Sequence, residues 1–256
     1  MSQVFDSYAR YYDLLYQDKD YVVEANYVAT LIRENAPQAK KILELGCGTG
    51  AHAEQLARMG YFVHGIDMSE EMLARAELRK KALPDNVANR LSFGHGDART
   101  CRTGSTYDVV ISLFHVMSYQ STNEDLRAAY ETAAVHLEPG GIFLYDFWYG
   151  PAVLTQRPDT RVKRLENKEI KVTRIAEPVL HVNENLVDVN YTVFIEDKNG
   201  HGIEQLREKH RMRYFFLPEL KLHWGAHWNG LVSEAWFSDD PIGENTWAGV
   251  QLLSRK

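Results

Sequence analysis

The chain has only two cysteines, Cys47 and Cys101, in 256 residues. Cys47 falls inside a glycine-rich stretch, so no structural disulfide is expected and a reducing, cytoplasmic setting is. Basic residues are in deficit: 29 Lys and Arg against 35 Asp and Glu give a formal net charge of −6. That argues against a nucleic-acid partner, which leaves a basic footprint on its protein. No apolar run approaches the ~20 residues needed to span a bilayer. Met1-Ser2-Gln3-Val4-Phe5-Asp6 has neither the basic nor the apolar segment of a secretory leader, so no membrane partner is expected. Internal repeats and low-complexity segments are also missing. What remains is the length of one large domain, or of one domain carrying a sizeable insertion.

The elements alternate. Val22, Ala25, Val28, Ala29 and Ile32 recur at helical spacing and predict a helix over Tyr21–Asn35, ended by Pro37. Strand Ile42–Leu45 precedes a helix over Ala51–Met59, closed by Gly60. Strand Tyr61–Ile66 stops at Asp67, and Ser69 caps the next helix, which runs to Lys81. Strands follow at Leu91–Phe93 and Tyr107–Leu113, then a helix over Asn123–His136. The turn Glu138-Pro139-Gly140-Gly141 leads into a fifth strand, Ile142–Asp146. This alternation predicts a doubly wound α/β sheet. Residues 151–216 read instead as long antiparallel strands. Val187, Val189, Tyr191, Val193 and Ile195 share one face and Asp188, Asn190 and Thr192 the other, and Lys198-Asn199-Gly200 supports a hairpin. A helix over Pro218–Trp228 and strands Leu231–Phe237 and Trp247–Ser254 close the core, so residues 1–150 and 217–256 form one unit around the insertion.

The stretch Ile42-Leu43-Glu44-Leu45-Gly46-Cys47-Gly48-Thr49-Gly50 carries the chemistry. Glycines let backbone turn sharply and touch a ligand that a Cβ would hold off, and the helix behind them offers unpaired N–H groups. Gly46, Gly48 and Ala51 fit a dinucleotide fingerprint, with Asp67 about twenty residues on. Four features favour S-adenosylmethionine instead: Glu44 at the strand end, the third alternating glycine Gly50, Asp97-Ala98 after the third strand, and Leu137-Glu138-Pro139-Gly140-Gly141 before the fifth.

In this order the set resembles the class I S-adenosylmethionine-dependent methyltransferases. The resemblance implies a seven-stranded Rossmann-like sheet whose last strand runs antiparallel. It also implies roles by position: Gly46, Cys47, Gly48 and Gly50 along the methionyl part with Glu44, Asp67 on the ribose hydroxyls, and Met68 on the adenine face. Asp97 with Ala98 would meet the adenine amino group, and Leu113 would sit beneath the sulfonium.

Residues 5–16 are crowded with Tyr8, Tyr11, Tyr12 and Tyr16. With Lys19-Asp20-Tyr21 they resemble the first helix of two subgroups, the glycine N-methyltransferases and the N-methyltransferases of nucleotide-linked deoxyaminosugars. Both subgroups place a tyrosine at the position of Tyr16 over the methyl donor and carry a β insertion after the fifth strand. That implies donor contacts from Tyr12, Tyr16, Lys19 and Tyr21. The aminosugar enzymes have a histidine near the reacting amine where this chain has Tyr119, so Tyr119 and His115, one turn earlier, become the candidate catalytic groups with Tyr16. Glycine enzymes place an arginine near Trp148; this chain has tryptophan there, and a carboxylate substrate would lack its partner. A ring-shaped acceptor stacked on Trp148 and Tyr149 fits better.

The insertion has 12 Lys and Arg against 10 Asp and Glu. Arg207, Lys209, Arg211 and Arg213 alternate and would share a strand face, suggesting diphosphate binding by Arg211, with Arg161 the next candidate. His223 and His227 have helical metal-ligand spacing without a third ligand, and no metal is expected. The sequence reading is therefore methyl transfer to a small molecule, an amine of a nucleotide-linked sugar or related metabolite. O-methylation of a sugar or polyketide hydroxyl, or a non-catalytic cofactor-binding assembly protein, are the alternatives. The insertion could cap the substrate or form a homodimer contact.

Overall fold

A computed structural model describes residues 11–12, 14–199 and 202–256; Tyr8, Gly200 and positions 1–6 considered above lie outside the described residues. Among these, the core elements are helix α1 (Tyr21–Asn35), strand β1 (Lys41–Leu45), helix α2 (Ala51–Arg58), strand β2 (Phe62–Asp67), helices α3 (Glu70–Lys81) and α4 (Asp85–Ala88), strands β3 (Leu91–His95) and β4 (Tyr107–Ser112), helix α5 (Asn123–Val135) and strand β5 (Leu137–Tyr149). A short helix α6 (Gly150–Gln156), unforeseen in the sequence, starts the insertion. Strands β6 (Arg161–Glu166), β7 (Ile170–His181), β8 (Leu186–Asp197) and β9 (Ile203–Phe215) follow. Helix α7 (Leu217–Trp224) and strands β10 (Trp228–Ala235) and β11 (Ala248–Arg255) complete the chain.

Seven strands form the core sheet in the order β3-β2-β1-β4-β5-β11-β10. All neighbours up to β5 are parallel and β11 runs antiparallel to β5, as the resemblance implied. The apolar residues of β1 and β4, Ile42, Leu43 and Leu45 with Val109, Val110 and Ile111, point to both faces because both faces are buried. Ile42, Val109, Ile111, Ile142 and Leu144 pack against Ala25, Val28 and Ile32 of α1. Leu43, Val110, Phe143 and Tyr145 pack against Leu126, Ala129, Tyr130 and Ala133 of α5. The helices start where short polar side chains can accept first-turn N–H groups: Asp20 from Val23 at 2.9 Å, Ser69 from Met72 at 3.2 Å, and Thr122 from Asp125 at 3.0 Å.

Two sequence expectations change. β5 begins at Leu137, before the Pro-Gly-Gly turn. Leu137 pairs with Tyr107 and Ile142 with Val109, so the residues between form an excursion within one strand, eased by Gly140 at φ +87°. The helix expected over Pro218–Trp228 ends at Trp224 because Gly225 takes φ +57°, ψ −148°. His223 and His227 therefore do not share one helix. The insertion joins the core sheet directly. β6–β9 form an antiparallel sheet whose last strand joins the end of β5 in parallel through Trp148↔Tyr214 and Tyr149↔Phe215. The core sheet thus continues into the insertion, which curves over the C-terminal ends of β1, β2 and β4. None of the described helices is long and apolar enough to cross a membrane.

Candidate active site

The loop after β1 is built from residues that need positive φ. Gly46, Gly48 and Gly50 sit at +77°, +54° and +73°, a region that costs other residues about 1–2 kcal/mol. The N–H groups of Gly46 and Cys47 both reach the Ile66 carbonyl at 2.9 Å, which stitches the loop to the end of β2. Asp67, at that end, accepts from Gly48 N at 2.8 Å and from Ser69 N at 2.9 Å. Burial pushes its carboxyl above the ordinary value, against the pull of those backbone donors. Close packing adds a second demand. A Cβ on Gly46 would lie 2.7 Å from a methyl of Val116, and one on Gly50 2.8 Å from the Phe93 ring.

Beneath the loop runs a chain of ionisable groups whose pairing the sequence did not disclose. Glu44 is 1% exposed. Its Oε2 has no hydrogen-bond donor among the described residues, and its Oε1 lies 3.9 Å from His52 Nδ1. His52 Nε2 is 2.6 Å from Glu24, and Glu24 also pairs with Lys19. The Lys19 ammonium stands 4.3 Å from the centre of the Phe114 ring. Lys19, Glu44 and Gly50 thus support the cavity wall from behind and do not line it.

Burial, and secondarily the charge of Asp67, push the Glu44 carboxyl from 4.5 up to about 8. An unfolded chain ionises this group near 4.5 while the folded protein keeps the proton to about 8. The stabilisation is therefore complete below the first value and lost as pH rises through the second. Ligand-free Glu44→Gln protein is expected to melt with a shallower pH dependence over that window than wild type. Equal slopes in differential scanning calorimetry would refute it.

One cavity collects most of the expected residues. Gly46, Cys47 and Gly48 form its floor, and burial raises the Cys47 thiol well above its ordinary range. Met68, Asp97 and Ala98 line one end. Asp97 is gripped by Arg99, whose Nε lies 2.9 Å from Oδ1 and Nη2 2.5 Å from Oδ2, and hydrogen bonding to that guanidinium holds the carboxyl low. Arg99 itself lines the cavity and went unnoticed in the sequence; it extends to Asp125 at 2.7 Å. Tyr12, Tyr16 and Tyr21 supply an aromatic wall, with Tyr12 and Tyr16 at 4.7 Å between ring centres and Tyr16 edge-on to Phe114 at 5.0 Å. Lys163 of β6 donates to the Leu15 carbonyl, tying the insertion to this wall.

The opposite end is made by the turn after β4. Leu113 lines it, then Phe114 and His115 both take φ +63°, and a 3-10 turn, Val116–Tyr119, follows. Such consecutive left-handed non-glycine residues need an external hold. Asp146 of β5, 1% exposed, provides it. It accepts His115 N–H at 3.0 and 3.1 Å and lies 2.6 Å from His115 Nδ1, an ion-pair distance that is poorly aligned for a hydrogen bond. Burial alone would raise the Asp146 carboxyl, yet His115 opposite it outweighs that and holds it low. Trp148 also lines the cavity, its N–H donating to Ser118 Oγ at 3.1 Å. Tyr149, expected beside it, packs against Phe147 instead.

The insertion closes the cavity with Val189 and Tyr191 of β8 and His210 and Met212 of β9. Tyr119 Oη lies 2.7 Å from His210 Nδ1. The histidine that the resemblance put at position 119 is thus replaced by a tyrosine that meets a histidine from another strand. The cationic stripe does not line the cavity. Arg211 and Lys209 alternate with His210 and point away from the cavity, where both pair with Asp188 at 3.0 and 2.8 Å. Arg213 is buried against Glu219 and Asn123, and Arg161 is exposed on β6. Arg211 and Arg161 are therefore not brought to the cavity. Arg211→Glu is expected to leave the Michaelis constants of both substrates within about twofold of wild type, since charges screened by solvent over this distance act weakly. A tenfold rise for the acceptor would return the stripe to the site.

These residues fit S-adenosylmethionine. Gly46 and Gly48 present bare backbone to the cavity, a Cβ on Gly48 would enter space that no protein atom occupies within 4 Å, and π-faces suited to a sulfonium stand opposite. They define a class I methyltransferase. Residues 42–141 match the methyltransferase domain family. The chain is 31% identical over 246 residues, 95% of its length, to the dTDP-3-amino-3,4,6-trideoxy-alpha-D-glucopyranose N,N-dimethyltransferase of Streptomyces venezuelae, of which 97% is covered. It is 32% identical over 81% of its length to the dTDP-3-amino-3,6-dideoxy-alpha-D-glucopyranose N,N-dimethyltransferase of Streptomyces fradiae, covering 77% of that protein. The crystal structure of Streptomyces venezuelae DesVI superposes with a TM-score of 0.78 at 27% identity, covering 97% of this chain and 98% of that one. The chain belongs to the S-adenosylmethionine-dependent methyltransferase family, alongside the N,N-dimethyltransferases of dTDP-linked aminosugars.

Proposed function

We propose that this enzyme methylates the amino group of a nucleotide-linked deoxysugar. One observation carries the reading. Similarity to a dTDP-aminosugar N,N-dimethyltransferase runs through 95% of the chain, so it includes the β insertion on the acceptor side as well as the donor half within residues 42–141. A site whose end wall is Trp148, with Arg99 the only arginine among the described lining residues and already paired to Asp97 and Asp125, suits a sugar ring.

S-adenosylmethionine supplies an electrophilic methyl group when bound. Gly46, Cys47 and Gly48 would hold its methionyl part, Asp67 the ribose, and Met68 with Asp97 and Ala98 the adenine. Leu113 and Tyr16 would flank the sulfonium, and Tyr12, Tyr16 and Tyr21 would keep water out. Excluding water strengthens every electrostatic contact inside and protects the reactive group. His115, held by Asp146, and Tyr119 would position the amine. Bringing nucleophile and methyl to about 3–3.5 Å in line provides much of the rate.

Incubation with S-adenosylmethionine and dTDP-3-amino-3,4,6-trideoxyglucose or its 3-amino-3,6-dideoxy analogue, read by mass spectrometry, is expected to give one or two added methyl groups. Methylation of the corresponding hydroxyl sugars and of no amine would replace this reading with O-methylation.

A further inference from the structure

The inner face of β9 carries a line of polar groups that leads away from the acceptor end of the cavity. Tyr119 and His210 both line the cavity, with Oη and Nδ1 2.7 Å apart. His210 is 3% exposed and Glu208, two residues earlier on the same strand face, 6%. His210 Nε2 lies 3.5 Å from Glu208 Oε2, and the same oxygen accepts the Tyr11 hydroxyl at 2.6 Å. Oε1 of Glu208 has no donor among the described residues. A buried carboxylate so thinly satisfied is costly, and a cation alongside would relieve it. Among the described residues His210 faces Tyr119 of the 3-10 turn, Glu208 and Tyr191 of β8 at 4.9 Å ring to ring, and Tyr11 reaches Glu208. Arg174 of β7 lies beyond, 4.7 Å from the centre of the Tyr191 ring, and Tyr16 faces Tyr119.

We propose that Tyr119, His210 and Glu208 form a proton exit for the acceptor amine, which makes the insertion part of the catalytic apparatus. This rests on the aminosugar reading above. An acceptor arriving as R–NH3+ has no lone pair to attack with. Tyr119 Oη takes one of its protons while its own hydroxyl proton passes to His210 Nδ1, and the imidazolium so formed is balanced by Glu208. The freed nitrogen lone pair then bonds to the methyl carbon as the carbon–sulfur bond breaks. That bond's electron pair stays on sulfur, leaving a neutral thioether and R–NH2+–CH3. The direction of transfer fits the local chemistry. Burial keeps the Tyr119 phenol well above its ordinary range, so at rest it is the donor and His210 Nδ1 the acceptor, with the histidine proton on Nε2 toward Glu208. Tyr119 is the catalytic residue; His210 and Glu208 act through it as positioning and charge-balancing residues.

Two measurements test the relay. 15N NMR of histidine-labelled wild-type protein with S-adenosylhomocysteine, assigned by loss of the signal in His210→Gln, is expected to show a neutral His210 protonated at Nε2. An Nδ1–H tautomer overturns the proposal whatever the activity. The second is the pH dependence of kcat with dTDP-3-amino-3,4,6-trideoxyglucose. Tyr119→Phe and His210→Gln are expected to lose about 10–100-fold near neutral pH, at the low end of general-base contributions. They should recover to within about threefold in alkaline buffer, where the amine arrives deprotonated. A deficit that is equal at every pH, or none, overturns the relay. Wild-type protein that methylates no amine overturns the aminosugar reading itself, and the relay with it.

Discussion

Gly46→Ala is expected to weaken S-adenosylhomocysteine binding on the order of 10²-fold while leaving the far-ultraviolet circular dichroism unchanged. Two effects combine. At φ +77° an alanine costs about 1–2 kcal/mol. Its Cβ would also stand 2.7 and 2.8 Å from the two methyls of Val116, where carbon atoms settle at about 3.5–4.0 Å. Valine is stiff at χ1, so the strain cannot be shed by turning a side chain. It must move either the loop or the 3-10 turn that begins at Val116. Overpacking of this kind adds about 1–3 kcal/mol, and each 1.4 kcal/mol is a factor of ten. Because Val116 shares its turn with Tyr119, kcat should fall along with affinity. Isothermal calorimetry showing a dissociation constant within about threefold of wild type would sink this account of the loop.

Asp146→Ala is expected to reduce kcat by about 10²-fold or more with a smaller change in S-adenosylhomocysteine affinity. Phe114 and His115 are both left-handed, and their conformation persists because a buried carboxylate meets the His115 N–H and ring together. Once that hold is gone, strain of about 1–3 kcal/mol per residue favours an ordinary turn, and His115 and Tyr119 leave the acceptor end. A misplacement of about 1 Å is enough to cost ~10²-fold. Asp146→Asn keeps an oxygen for the His115 N–H and should recover part of the loss. Single-turnover rates separate chemistry from release here. If Asp146→Ala and Asp146→Asn are equally impaired, the charge opposite His115, and not the turn, is what matters.

The donor half of the site was legible because its requirements are local. Alternating glycines, an acid at a strand end and a second acid after the next strand are contiguous signals, and each reports a backbone conformation or a hydrogen bond to nearby N–H groups. The acceptor half was read less well for a definite physical reason. Period-two alternation on β9 assigns Arg207, Lys209 and Arg211 to one face and Glu208, His210 and Met212 to the other. It cannot say which face a curved sheet turns inward. The charged face drew attention, and solvent took it. The pairing that links Lys19, Glu24, His52 and Glu44 escaped similarly, since it depends on how α1 and α2 lie on the sheet. The helix after Pro218 was read too long because nothing in the local pattern distinguishes Gly225 in a helix from Gly225 ending one.

The insertion leaves the core after Tyr149 and returns at Phe215, and these two residues are ladder partners. Adjacent strands stand about 4.7–4.9 Å apart, so the doorway through which this whole sheet is attached is only a strand spacing wide. A segment whose ends meet can be lengthened, shortened or exchanged without moving the strands it departs from. The wall that the insertion gives the cavity, Val189, Tyr191, His210 and Met212, is therefore exchangeable without displacing the glycine loop after β1. Recombining residues 150–214 between relatives at these two ladder partners changes one wall of the cavity and keeps the other.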